Sequence, residues 1–174
     1  MKIIVDSREK NPLYFRKSST LESVIVRKLN AGDYSIEGYE HLIAIERKSP
    51  SDLFGTLGKG HKRFKRELER AFNYEYFAIL IEAPLTTILN KDFEGSHYCG
   101  MLGDTIVQIC YTLKLKYGID IIFCDGKNEA VSVVRQIFRA YLKIKDHKNT
   151  FKNLTDKPEL LESVNNLKRK LRCK

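Results

Sequence analysis

No apolar run in these 174 residues approaches the roughly 20 that a membrane-spanning helix needs, so a helical membrane protein is excluded. The longest apolar stretches, Phe77–Ile81 and Ile121–Cys124, have the length of buried strands. The chain enters a strand-like run at Lys2–Val5 directly, so no signal peptide is expected. Cysteine is scarce: Cys99, Cys110, Cys124 and Cys173 form no CxxC pair, which argues against a structural zinc site. They read as reduced thiols of an intracellular protein, in the cytoplasm or nucleoid of a prokaryote or virus, or in a eukaryotic nucleus. Internal repeats are absent, so a solenoid is excluded.

What the chain has in excess is positive charge, a net +9 that favours a polyanionic partner. Residues 143–174 alone carry 10 Lys/Arg against 4 Asp/Glu, so most of the excess sits in a tail. A solvated end and a nucleic-acid contact both fit such a tail.

Strand-like and helix-like patterns alternate along the chain. Lys2–Val5 reads as a strand, and Ser19–Leu29 as a helix opened by a Ser19/Glu22 capping box. Asn30–Tyr34 is turn chemistry, Glu37-Gly38-Tyr39 a hairpin turn, and Leu42–Glu46 a second strand. A charged helix follows over about Lys62–Phe72, then a buried strand at Phe77–Glu82. Met101–Tyr117 reads as a helix ended by Gly118 and Ile119–Cys124 as a buried strand. Glu129–Lys145 reads as a helix with Val133, Ile137, Phe138 and Tyr141 on one stripe. This alternation predicts an α/β sandwich around a mixed sheet. Residues 1–145 form the expected main domain. A linker at Asp146–Asp156 and an amphipathic helix at Pro158–Arg172 complete the chain.

The chemistry concentrates between Gly32 and Asp52. On a strand, Glu46 and Lys48 point to one face and Arg47 to the other. Ala44 is small and lies on the Glu46 face. Asp33, 13 residues before Glu46 and across the hairpin turn, can be brought beside it by antiparallel pairing. Two adjacent carboxylates repel unless a cation neutralises them, and Mg²⁺ takes one or two carboxylates with waters and phosphate oxygens. Acid, then acid-x-Lys, therefore fits metal-assisted phosphodiester hydrolysis. By spacing alone, Glu-x-Lys fits an exposed cross-strand ion pair better than a catalytic site.

A longer string decides between them. Val5-Asp6-Ser7-Arg8-Glu9, Gly32-Asp33-Tyr34, Glu46-Arg47-Lys48 and, after three residues, Asp52 resemble the XPF-type structure-specific endonucleases. That family's signature is Gly-Asp, a variable gap, Glu-Arg-Lys, three residues, then Asp. The Leu53–Leu57 segment and the Arg63–Leu68 helix are also similar, and the resemblance spans about residues 3–142. It implies a restriction-endonuclease-like three-layer sandwich, a mixed sheet flanked by helices. It implies Mg²⁺ dependence, with Mn²⁺ able to substitute, and action on branched, flap or junction DNA in repair, recombination or replication. Carried over, Asp33 and Glu46 become metal ligands and Lys48 the catalytic lysine, with Arg47, Asp6, Glu9 and Asp52 as supporting site residues. Arg8, Lys62, Arg63, Arg66, Lys168, Arg169 and Lys170 are the expected nucleic-acid contacts. Asp6 with Arg8 also fits a strand-end salt bridge, Asp52 fits a helix N-cap, and Glu82 fits a strand end better than a metal ligand. Many relatives add tandem helix-hairpin-helix units, for which this chain has too few residues. A catalytically silent binding module is the alternative function, although silent copies lose the acids and lysine kept here. The apolar helix stripes lead us to expect a homodimer or heterodimer.

Overall fold

The computed structural model describes residues 1–58 and 60–155, with the side chains of 61–63 and 148–155 set aside. The expected helix at Pro158–Arg172 therefore lies outside the described residues, with Lys168, Arg169 and Lys170. Six strands form one mixed sheet: β1 (Lys2–Asp6), β2 (Ser23–Arg27), β3 (Tyr34–Ile36), β4 (Ile43–Lys48), β5 (Tyr76–Ile81) and β6 (Asp120–Phe123). Their spatial order is β2-β1-β3-β4-β5-β6. The β3 strand is antiparallel to β1 and β4, whereas β1/β2, β4/β5 and β5/β6 are parallel.

Five α-helices are described: α1 (Pro50–Leu57), α2 (His61–Ala71), α3 (Leu85–Asn90), α4 (Gly103–Tyr117) and α5 (Gly126–Thr155). Leu53, Phe54 and Leu57 of α1 pack with Phe64, Leu68 and Ala71 of α2 and with Ile106, Val107, Cys110 and Leu113 of α4. These helices cover Ala44 of β4 and Phe77, Ile79 and Ile81 of β5, one side of the sheet. On the other side Ile43, Ile45, Ala78 and Leu80 are almost wholly buried. Burial on both faces gives β4 and β5 their near-continuous apolar runs. A mixed sheet flanked by helices is the expected sandwich. The chain divides into two compact units, Met1–Arg135 and Gln136–Lys174, with the division inside α5.

Several elements differ from the sequence expectation. Ser19–Leu29 is not a helix: Ser23–Arg27 pairs in parallel with β1, from Lys2↔Ser23 to Asp6↔Arg27. The run Val24-Ile25-Val26 is β-branched, and these side chains are stiff in a helix and at home in a strand. Val24 and Val26 are exposed because β2 is an edge strand with one solvent face. The β6 strand is half-buried along its length, being the opposite edge, rather than buried. Helix α5 starts earlier than expected and continues to Thr155, through most of the stretch read as a linker. Its buried stripe begins at Ala130 and Val134, one residue off the expected Val133, which is only half-buried. The short α3 and a 3-10 turn at Ser96–Tyr98 had no clear sequence signal.

Candidate active site

The carboxyl ends of β1, β4 and β5 open on a cleft of about 670 Å³. The local sequence builds it from the backbone upward. Gly32 sits at φ 74° on the turn into β3, and a Cβ there would lie 2.9 Å from the Ala44 Cβ. Glycine alone meets both demands. The next residue is then locked from both sides: Asp6 N–H donates to the Asp33 carbonyl (2.8 Å), and Asp33 N–H donates to the Ile45 carbonyl (2.9 Å). With Tyr34 opposite Ile45, Asp33 comes beside Glu46. Its Oδ2 accepts the Arg47 N–H at 2.8 Å.

Glu46 and Lys48 are on one face, as period 2 requires, and both are buried. Lys48 Nζ donates to Glu46 Oε1 at 2.8 Å and lies 5.4 Å from the centre of the Phe64 ring. Arg47 turns the other way, into a buried clamp. Its Nη1 donates to Glu82 Oε2 (2.6 Å) and its Nη2 to Glu9 Oε1 (3.0 Å). Glu82 Oε1 is buried with no hydrogen-bond partner.

Burial raises the Asp33 carboxyl from 3.8 to about 7; the Arg47 N–H works against the rise and the Glu9 charge adds to it. Burial and then the Asp33 charge push Glu46 well above the ordinary carboxylate range. Lys48 works against them, and the charge and side-chain hydrogen bond of Glu67 add to the rise. Burial alone would lower the Lys48 ammonium, but the Glu46 charge and hydrogen bond outweigh it, so its pKa is raised and it stays protonated.

Asp6 is saturated. Its Oδ1 accepts from Arg8 N and Nε, and its Oδ2 from Arg8 Nη2 and Leu29 N, all at 2.7–2.8 Å. It is the strand-end salt bridge, and it ties β1 to the loop after β2. The N-cap of α1 is Ser49, not Asp52: Asp52 N–H donates to Ser49 Oγ, and Ser49 Oγ–H to Asp52 Oδ2. Asp52 is exposed and lines the cleft from the first turn of α1. Arg66 is exposed on α2, while the side chains of His61, Lys62 and Arg63 lie outside the described set. Sequence reasoning missed Glu67, which follows the buried Phe64 by three positions. A helical position at the margin of the apolar stripe was the available signal.

The cleft lining holds seven Asp/Glu and five Lys/Arg, more acids than bases in a strongly basic chain. Among the described residues no group of three or more His, Cys, Asp or Glu is arranged to hold a metal. Mg²⁺ does not require one, because it keeps several waters. Asp33 and Glu46, two mutually repelling buried carboxylates, are a donor set that suits such an ion.

Residues 5–137 match the family model of the ERCC4 domain. This chain belongs to the ERCC4 domain family. The resemblance to XPF-type nucleases drawn from the motifs is thereby borne out, and the fold agrees. The ERCC4 domain here is similar to the structure of XPF from Aeropyrum pernix in complex with DNA. The TM-score is 0.60 at 24% identity, covering 82% of this chain and 65% of that one. A second structure of XPF from Aeropyrum pernix gives a TM-score of 0.59 at 23% identity, covering 81% of this chain and 61% of that one. A protein of Clostridioides difficile (strain 630) named "Putative pre-16S rRNA nuclease" is 29% identical over 93 residues, 52% of this chain and 64% of that protein. The ERCC4 chain thus spans under two thirds of each of these relatives. Among the described residues, no helix is long and apolar enough to cross a membrane.

Proposed function

We propose that this ERCC4 domain is a Mg²⁺-dependent DNA endonuclease that hydrolyses phosphodiester bonds in branched, flap or junction DNA during repair, recombination or replication. The observation that carries the proposal is the juxtaposition of Asp33 and Glu46 with the ammonium of Lys48 at an acidic cleft in a chain of net charge +9. Phosphates beside that carboxylate pair, once it is ionised, would be repelled without a cation between them. Asp33 and Glu46 would hold Mg²⁺, or Mn²⁺ in its place. Such an ion, when bound, acidifies a water and neutralises charge on the phosphate.

The remaining chemistry belongs to the chain. Lys48, protonated and aimed by Glu46, donates a hydrogen bond where negative charge develops on the phosphate. Phe64 beneath it excludes water and strengthens that charge interaction. Arg47 is a positioning residue: its clamp between Glu9 and Glu82 fixes the end of β4, and its N–H aims Asp33. Asp6 and Asp52 act through the backbone they tie down. Arg8, Lys62, Arg63 and Arg66 contact phosphates around the cleft. The basic segment from residue 146, with Lys168, Arg169 and Lys170, lends non-specific grip. The function places the protein where DNA is, in the cytoplasm, nucleoid or nucleus.

The test is a panel of labelled flap, fork, splayed, duplex and four-way substrates with Mg²⁺ or EDTA. Asp33→Asn and Glu46→Gln should each lower cleavage by about a thousandfold or more while DNA affinity is kept. Metal-dependent cleavage that survives in the double variant would sink the site. The same proposal includes association into a homodimer or heterodimer. Tyr111 and Leu115, one turn apart on α4, are 45% and 87% exposed and are its apolar candidates. Sedimentation at micromolar concentration should show a dimer, and a strict monomer argues against self-association.

A further inference from the structure

The segment after β1 carries an aromatic ring that the core does not use. Leu13 and Phe15 are buried (3% and 5% exposed), whereas Tyr14 between them is 83% exposed. The anchoring is specific. Leu13 N–H donates to the Tyr34 hydroxyl at 2.9 Å, and the Phe15 ring meets the Tyr34 ring edge-on at 5.6 Å. The buried-exposed-buried alternation over these three residues shows that two buried anchors hold the middle side chain outward. A mobile surface tyrosine would have no such fixed mounting.

The segment that leads to this mounting lines the cleft as far as Asn11. Earlier in the same segment Glu9 is tied to Arg47, Asn11 N–H donates to Glu9 Oε1 (2.7 Å), and Lys10 and Asn11 line the cleft. Lys127 Nζ donates to Asn11 Oδ1 at 2.6 Å, which adds a further cation there. Tyr14 is three residues beyond Asn11, so within about 11 Å of it along the chain. Between Glu9 and Glu22 the sequence has no Asp or Glu, and Lys10, Arg16 and Lys17 are exposed. Farther on, the Arg135 guanidinium is held against Ser18 and the Arg16 carbonyl.

A fixed aromatic face among cations is the combination that holds single-stranded nucleic acid, the cations tracking phosphates and the ring stacking a base. A paired base in a closed duplex offers no free face to such a ring. We infer that Tyr14 is a stacking platform for an unpaired base beside the cleft, with Lys10, Arg16 and Lys17 gripping the flanking phosphates. The platform would make the domain prefer DNA with unpaired nucleotides next to the cut. The inference deepens the proposed function and rests on DNA being the ligand.

The test reads binding rather than cleavage, on the full chain with Ca²⁺ in place of Mg²⁺. A labelled oligothymidylate is compared with a blunt-ended two-strand duplex by anisotropy. Tyr14→Ser should weaken oligothymidylate binding by about fivefold or more, Tyr14→Phe by less than about twofold, and neither should alter duplex binding. Because the chain has no tryptophan, Tyr14→Trp supplies a single indole, excited to the red of the tyrosines, whose emission should be quenched by oligothymidylate and not by the duplex. Thermal melts check that the variants fold. Wild-type binding that Tyr14→Ser leaves unchanged, or weakens equally for both DNAs, overturns the platform alone. A wild-type chain that binds neither DNA overturns the platform and the nuclease reading together.

Discussion

At the scale of single residues, the site is a problem of buried like charges. Asp33 titrates near 7 in the folded chain against an ordinary 3.8, with burial the leading cause. Between about pH 4 and pH 7 the folded state therefore holds a proton that the unfolded state has released. Stability of the metal-free protein should fall as pH rises through that window. Thermal melts in EDTA should show the fall, and Asp33→Asn should flatten it. Added Mg²⁺ should raise Tm more at pH 8 than at pH 5, because the cation favours the ionised pair. These residues were legible because the strand period alone puts Glu46 and Lys48 on one face and a short hairpin returns Asp33 to them. Glu67 was not legible, since its approach to Glu46 depends on how α2 docks.

Among the elements, the decisive features are close backbone approaches. Gly32 needs a positive φ and has Ala44 against it. Gly32→Ala should thus displace Asp33 and lower cleavage by more than it lowers stability. Gly103 at the start of α4 is a control of the opposite kind: a Cβ there would lie 2.2 Å from the Leu89 carbonyl oxygen of α3. Gly103→Ala should destabilise by about 1–3 kcal/mol in urea denaturation and leave the cleavage rate of the folded fraction nearly unchanged. The misreading of Ser19–Leu29 belongs to this scale. Its apolar residues recur near helical spacing, but Val24, Ile25 and Val26 gain more by extending β1 into a parallel pair than by forming an isolated helix. A capping box without a face to bury could not hold a helix there.

For the molecule as a whole, charge is unevenly placed: an acidic cleft in a basic chain, with the excess toward the carboxyl end. Residues 156–174 carry 6 Lys/Arg and 3 Asp/Glu. Removing them should weaken DNA binding and flatten the dependence of log affinity on log salt, without lowering cleavage at saturating DNA. Fluorescence titrations at several salt concentrations measure both quantities.

By itself, the sequence determined the β4 and β5 strands, the α4 and α5 helices, the hairpin and the meeting of Asp33, Glu46 and Lys48. Each depends on local period, turn chemistry or a motif whose residues are close along the chain. The Asp6–Arg8 pair and the Ser49 cap of α1 are local as well, two and three residues apart. Only the tertiary structure decided that Asp6 also takes the Leu29 N–H and that Arg47 is clamped by Glu9 and Glu82. It also decided that Glu67 joins the carboxylates and that Ser23–Arg27 is an edge strand. Those outcomes turn on which groups remain unpaired once distant segments meet, and competition of that kind leaves no local pattern to read.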